Sequence, residues 1–409
     1  MKIRVGVIFG GESVEHEISI ITAIQAMNKM DEEKYEIIPI YITKDREWYT
    51  GEMLKDIDVY QDFNLIKNYS TNVVLYYKNG SYVLQKKKGL FKSVVKELDI
   101  AFPIVHGTNV EDGVLQGYLQ TIGIPFVGSN VYASVAGQDK VIMKDIWQEA
   151  NLPMTKFTWF YDVDYRHNPE EVLKQVKKLK YPLIIKPATT GSSVGISVCD
   201  DEKSLKEGID DAIQYDSKII IEEVVENLKE VNIAVMGNYE NQRLSEIEEV
   251  LSGNKFLTYN DKYVGGGKGK IKGGVKIPTK GTSKGMASAN RKLPANLDKD
   301  IRDEIESIAL KAFKLLGCSG NSRIDFLIDD KANKVYINEI NSIPGSLAFY
   351  LWEAKGQEFT KVLDEMIQIG IKDYKKRTSK THSFETNILA GFAKSGGIKG
   401  MKGAKGKLK

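Results

Sequence analysis

Apolar residues fall into short, near-continuous runs separated by helical-period segments and polar turns, the pattern of an α/β protein with buried strands. The run at residues 3–9 ends in Gly10-Gly11, after which Ile18, Ile21, Ile24 and Met27 recur at near-helical spacing. Further runs predict strands at 37–42, 73–77 and 100–105, the last leading into a turn-rich loop, His106 to Gly113, and a helix over 114–121. The stretch 124–129 closes a first region. A helix holding Asp139-Lys140 follows, and then a β-rich segment with strands over 181–187 and 218–223. Arg323-Ile-Asp-Phe-Leu-Ile and Val-Tyr-Ile-Asn-Glu-Ile-Asn flank a polar turn at 329–334, which predicts a β-hairpin stopped by Pro344-Gly345. An amphipathic helix is expected over 359–369.

Composition narrows the class. A chain of 409 residues, 42% hydrophobic and 28% charged, is globular and too long for one core, so two or three domains are expected. The net charge of +3 is too near neutral to suggest nucleic acid, although it averages over a basic C-terminal half. Cys199 and Cys318 are too few for a disulfide framework or a zinc site. No apolar run reaches membrane-spanning length, and residues 1–11 carry no cleavage-site pattern, so a cytoplasmic protein without membrane insertion is expected.

The hairpin carries the densest chemistry. Side chains alternate across a strand, which puts Arg323, Asp325 and Leu327 on one side and Ile337, Glu339 and Asn341 on one side of the partner. If those sides coincide, two carboxylates and an amide oxygen suit a hard cation such as Mg²⁺, and the guanidinium can face charge on a reacting oxygen. A solvated polar face with a surface ion pair is the competing reading, and the exposed backbone at Gly345 favours the first. Glu15, just past the first glycine turn, is placed to hold a substrate ammonium or is simply an acid favoured in a first helical turn. His106 at a strand end would meet a substrate carboxylate, assist proton transfer or be structural. Lys186 ends a strand before the loop Ala-Thr-Thr-Gly-Ser-Ser-Val-Gly, a phosphate cradle or a flexible turn. Glu222 and Glu223, with Val225 beyond them, would face a purine edge and Glu230 a ribose, or be solvated acids at strand ends. The dinucleotide fingerprint and the Walker A loop are both absent.

Taken together, Gly-Gly-Glu-Ser-Val-Glu-His-Glu-Ile-Ser, His-Gly-x-x-x-Glu-Asp-Gly, Asp139-Lys140, Ile-Lys-Pro with Gly-Ser-Ser-Val-Gly, Asp261-Lys262-Tyr263, Arg-Ile-Asp-Phe and Asn-Glu-Ile-Asn-Ser-Ile-Pro-Gly resemble, in order, the D-alanine–D-alanine ligases of the ATP-grasp superfamily. The resemblance spans roughly residues 5–370 and implies an α/β ATP-grasp fold. Its expected parts are an N-terminal open-sheet substrate domain (1–128), a central ATP-grasp part (129–221) and a C-terminal catalytic part (222–372). It also implies ATP, two Mg²⁺ ions with Mn²⁺ as substitute, a D-alanyl phosphate intermediate, a D-alanyl-D-alanine product for peptidoglycan synthesis, and a homodimer. Glu15 would bind the first ammonium, and Ser192, Tyr263 and Glu230 would form a trio that closes a loop over the site. Lys140, Lys186 and Lys262 would contact phosphates; Glu222, Glu223, Val225 and Glu230 would hold the nucleoside. Asp325, Glu339 and Asn341 would hold metal, and Arg323 and the Gly345 amide would stabilise the oxyanion. His106, Ser346, Tyr350 and Leu351 would line the amino-acid sites.

Two stretches depart from the family pattern. Tyr350 stands where the family has a serine at the second substrate's carboxylate, which leaves a contact from Tyr350 or Ser346, or a reshaped pocket accepting D-serine, D-lactate or another amino acid. Residues 265–292 form a Gly/Lys-rich insert without acids, read as a lid or a solvated segment. The Gly/Lys-rich tail, 373–409, is expected to be disordered. A catalytically inactive nucleotide-binding regulator is the reading from another class.

Overall fold

In the computed structural model, residues 2–89, 92–251, 291–384 and 386 are described. The apolar runs become three sheets. The first holds β1 (Ile3–Gly10), β2 (Tyr35–Ile42), β3 (Trp48–Thr50), β4 (Thr71–Lys78), β5 (Ser81–Lys86), β6 (Val94–Leu98) and β7 (Ile100–Pro103), in the order β6-β5-β4-β3-β2-β1-β7. β1 lies parallel to both β2 and β7 and is buried from Val5 onward, as a run without alternation requires. At its end Gly10 has φ +89°, and a Cβ there would come within 2.2 Å of the Ile42 carbonyl oxygen, so only glycine lets the chain turn toward the helix His16–Met27.

The second sheet is antiparallel: β8 (Phe157–Tyr161), β9 (Leu183–Pro187), β10 (Ser197–Cys199) and β11 (Lys218–Glu223), in the order β10-β9-β11-β8. Leu183, Ile185, Ile219 and Ile221 pack on Val172 and Val176 of the helix Pro169–Val176 and on Leu205 and Ile209 of the helix Glu202–Ala212. The third sheet, β12 (Leu228–Gly237), β13 (Gln242–Val250), β14 (Arg291–Lys292), β15 (Gly320–Asp329) and β16 (Lys334–Asn341), runs β14-β13-β12-β15-β16. Val231, Ile233, Ile324 and Phe326 share a core with Ile305, Ala309 and Phe313 of the helix Lys299–Leu316. Asn232, Glu248, Arg323 and Asp325 line a cavity instead.

Three elements differ from expectation. The single helix around Asp139-Lys140 is two, Val131–Gln138 and Lys140–Glu149, because the Asp139 carboxylate accepts the N–H groups of Val141 (2.9 Å) and Ile142 (3.2 Å) and caps a new helix. The last helix extends over Phe359–Thr378; Lys375, Lys376 and Arg377 sit in its final turn, where cations suit the helix dipole. Arg291 and Lys292, expected to close the basic insert, instead pair with β13 through Val250 and Glu249. Met1–Ile371, which contains the three sheets, and Lys372–Lys409 form separate compact units. Among the described residues no helix is long and apolar enough to cross a membrane.

Candidate active site

β15 and β16 form the expected hairpin, with Asp325 opposite Glu339 and Arg323 opposite Asn341. The alternation breaks at one point. A bulge after Asp325 sets Phe326 against Ile337, so Ile337 turns into the core at 1% exposed, contrary to its expected place beside Glu339. The extra residue, Asn338, joins Glu339 on the cavity wall, with its Oδ1 3.4 Å from Lys186 Nζ. A two-residue strand period cannot reveal such a bulge. The Arg323 guanidinium forks onto Asp325 (2.6 and 2.7 Å), and Asn341 Nδ2 lies 3.2 Å from the same carboxylate. No group of three or more His, Cys, Asp or Glu side chains among the described residues could hold a metal. The hairpin offers two carboxylates and one amide oxygen, a sparse hard-oxygen set that fits Mg²⁺ with phosphate oxygens completing its shell.

Two cavities meet at this hairpin, and Arg323 and Glu339 line both. The first, of about 200 Å³, runs between the second and third sheets, with Ile184, Val225, Leu228, Phe326 and Leu327 as apolar wall. Lys186, Glu222, Glu223 and Glu230 line it too, as expected of a nucleotide site. Glu222 nevertheless faces lysines: its carboxylate lies 2.9 Å from Lys186 Nζ and 3.0 Å from Lys144 Nζ, and accepts the Thr155 hydroxyl at 2.8 Å. Burial alone would raise its pKa; the two ammonium groups and these hydrogen bonds hold it far below the usual carboxylate range. Lys144, 1% exposed and lowered by its burial, was not anticipated, although it lies one helical turn after Lys140. The N–H groups of Glu223 and Val224 are spent on the carbonyls of Lys156 and Pro182, leaving Val225 as the remaining expected contact of that segment.

The second cavity is polar, about 90 Å³, and lined by Glu15, His106, Glu111, Lys140, Ser192 and Gly345 among others. Glu15 precedes the helix His16–Met27 and makes no capping bond with its side chain. Its carboxylate instead accepts the Ser192 hydroxyl. Gly191 makes room, since a Cβ there would fall 2.5 Å from Glu15 Oε2. Lys140 Nζ donates to the Thr190 carbonyl at 2.9 Å, and burial lowers its pKa. Glu111, missed as a site residue though inside a quoted motif, accepts the N–H groups of Gly107 (3.0 Å) and Ile343 (2.9 Å) and lies 3.0 Å from Ser342 Oγ. Burial and then the neighbouring Glu15 push its carboxyl up to about 8. Burial pushes His106 down to about 4, so the imidazole is neutral near pH 7, and its Nε2 sits 3.2 Å from Thr22 Oγ1.

Three expected amino-acid-site residues stand elsewhere. Ser346 is 2% exposed, outside the walls of both cavities, and its N–H donates to Thr22 Oγ1. Leu351 is fully buried in the core of the first sheet. Tyr350 is buried behind the first cavity, its hydroxyl donating to Glu248 Oε1 at 3.0 Å. Lys262, Tyr263 and the insert lysines at 268, 270, 272, 276, 280 and 284 lie outside the described residues.

Comparison with known proteins adds to this geometry. Residues 4–129 match the model of the D-ala D-ala ligase N-terminus, and residues 146–290 and 280–368 that of the C-terminus. A D-alanine–D-alanine ligase of Thermosipho melanesiensis is 39% identical over 390 residues, 95% of this chain and 98% of that protein. The structure of the D-alanine–D-alanine ligase from Coxiella burnetii superposes with TM-score 0.75 at 25% identity, over 96% of this chain and 99% of that one. The VanG D-Ala:D-Ser ligase from Enterococcus faecalis gives 0.73 at 28%, over 90% and 100%.

Proposed function

The chain belongs to the D-alanine–D-alanine ligase family, with its ATP-grasp fold, and from that premise we propose that it joins two D-alanine molecules at the expense of ATP. The observation that carries this is the junction of two unlike cavities at Arg323 and Glu339. A cleft with an apolar wall and Lys186 suits a nucleoside triphosphate, and a small polar cavity with Glu15 and Lys140 suits an amino acid, so γ-phosphate and carboxylate meet where the cavities meet.

In this reading the ammonium of the first D-alanine sits on Glu15. Its carboxylate oxygen forms a bond to the γ-phosphorus, the bond from phosphorus to ADP breaks, and D-alanyl phosphate results. Lys140, Lys186 and the Ser192 loop hold phosphate oxygens. Asp325, Glu339 and Asn341 would hold Mg²⁺ or Mn²⁺, which when bound neutralises phosphate charge. The amine of the second D-alanine then attacks the acyl carbon, phosphate leaves and the amine gives up a proton. Arg323 and the Gly345 amide face the oxygen on which charge develops. The three sheets support a division into three parts at 1–128, 129–221 and 222–372, with β11 of the second sheet running two residues past the second boundary, to Glu223. The ATP requirement and a role in peptidoglycan synthesis support a cytoplasmic enzyme, and the family resemblance a homodimer.

The test is phosphate release from ATP with Mg²⁺ and D-alanine, with product masses read in parallel and D-serine and D-lactate added as alternative acceptors. A D-alanyl-D-alanine mass is expected, and Asp325→Asn should reduce turnover at least a hundredfold. ATP consumption that yields only a mixed product would move the reading to another acceptor, which the buried Tyr350 favours as the second possibility. Phosphate release that continues unchanged in Asp325→Asn would sink the hairpin's role.

A further inference from the structure

Beyond the hairpin, the first cavity ends in a group of charges that the ligase reading leaves unassigned. Glu248, 1% exposed, has its carboxylate 3.0 Å from Asn232 Nδ2, 3.0 Å from the Tyr350 hydroxyl and 2.6 Å from Arg291 NH1. The Arg291 guanidinium carbon lies 3.9 Å from the centroid of the Tyr350 ring. An ion pair and a ring face therefore fix the plane of this guanidinium, as a stacked arginine requires and a lysine could not reproduce. β14 contributes the backbone half of the clamp, Arg291 pairing with Val250.

Arg291, Glu248 and Arg323 all line the first cavity. Arg323 is forked onto Asp325 and Lys186 is paired with Glu222, while Lys140 donates to the Thr190 carbonyl and lines the second cavity, so these three cations are already engaged at the phosphate position. The acceptor amino acid must bring its amine to the acyl carbon at this junction while its own carboxylate stays in a cavity otherwise rich in acids. Such an anion needs a fixed cation on the same wall. Among the described residues Arg291 is a cation so fixed, held by Glu248 with Tyr350 as its platform.

Resting on the ligase reading, we propose that Arg291, held by Glu248 and Tyr350, is the specificity-determining residue that recognises the carboxylate of the second amino acid. Tyr350 then acts through Arg291, as a positioning residue.

The experiment compares two acceptors on the same acyl phosphate. D-Alanine carries a carboxylate; hydroxylamine carries none and traps the acyl group as a hydroxamate, its nitrogen bonding to the acyl carbon while phosphate leaves and the nitrogen loses a proton. For Arg291→Ala the ratio of dipeptide to hydroxamate should fall at least tenfold, through KM for the second D-alanine. KM for ATP should stay within twofold of wild type, and Arg291→Lys should recover part of the ratio. Tyr350→Ala should fall in the same direction and Tyr350→Phe, which keeps the ring, should not. An unchanged ratio in Arg291→Ala overturns the proposal. So does a parallel loss of both products with a raised KM for ATP, which would make Arg291 merely structural. If wild-type protein forms neither product, the ligase reading itself fails, and the inference falls with it.

Discussion

The two cavities handle charge in opposite ways. Beside the nucleotide-like cleft, Glu222 sits at 2.9 and 3.0 Å from two lysines and keeps its charge although it is 1% exposed. In the small polar cavity two carboxyls, Glu15 and Glu111, are neighbours, and one of them is held protonated near neutral pH. The first arrangement is complete before any substrate arrives and costs nothing to reorganise at the moment of reaction. The second, where Lys140 and Arg323 share the wall with these acids, keeps one carboxyl neutral by holding its proton, and in this reading the substrate's ammonium comes to Glu15. In this reading one wall serves stability and the other binding.

Replacing Glu222 by Ala should therefore have the largest effect on folding. It strands Lys144 and Lys186 without their carboxylate, and breaking a buried pair from one side costs about 3–5 kcal/mol. Urea denaturation measures it, and a loss below about 1 kcal/mol would mean that this wall is no more pre-organised than the other. The pH dependence follows from the depressed pKa. A carboxylate with a folded pKa below its unfolded value adds stability that is present above the unfolded pKa and lost as pH falls toward the folded one. Wild type should lose this increment on acidification below about pH 4.5, and Glu222→Ala should lack it.

Glu15→Gln reverses the pattern. Stability should change little, while KM for the first D-alanine should rise roughly tenfold to a hundredfold, the worth of a charge-assisted hydrogen bond of about 1.5–3 kcal/mol. Initial rates over D-alanine and ATP separate the two constants, and an equal rise in KM for ATP would contradict the division of labour.

These two residues were not equally legible in the sequence. Glu15 lay in a motif whose order along the chain already pointed to an amino-acid site, and the structure turns its carboxylate to the Ser192 hydroxyl, with no capping bond. Glu222 was placed at a purine because it ends a strand, which says nothing about the lysines that the helix Lys140–Glu149 brings over it. The hairpin was readable down to the pairing of Asp325 with Glu339, yet the bulge at Asn338 was not, since alternation assumes an unbroken ladder. Ser346 and Leu351 follow from position in a motif; the structure buries both and the walls of the two cavities do not include them. Strand and helix existence followed from periodicity; contacts between elements distant in sequence did not.

Glu111 sharpens the contrast further. Its folded pKa is raised from the ordinary carboxyl value to about 8, so the folded protein keeps a proton that the unfolded chain releases. The sign is opposite to that of Glu222: stability is highest at low pH and falls as pH rises from about 4.5 toward 8. Glu111→Gln, neutral in both states, should remove that decline, gaining on wild type steadily between pH 5 and 8 in parallel denaturation series. Curves that stay parallel would show that neither burial nor the neighbouring Glu15 raises this carboxyl.

The smallest effect belongs to Tyr350→Phe. The substitution deletes the hydroxyl that donates to Glu248, while Asn232 and Arg291 continue to approach that carboxylate and the ring under Arg291 remains. The loss should be that of one buried hydrogen bond to a charged acceptor with other donors in place, about 1 kcal/mol, read by urea denaturation. A loss several times larger would mean that Glu248 depends on the phenol for its charge. The acceptor end of the cleft would then belong with the pre-organised wall around Glu222, and the boundary between the two kinds of wall would run through Arg323 rather than beyond it.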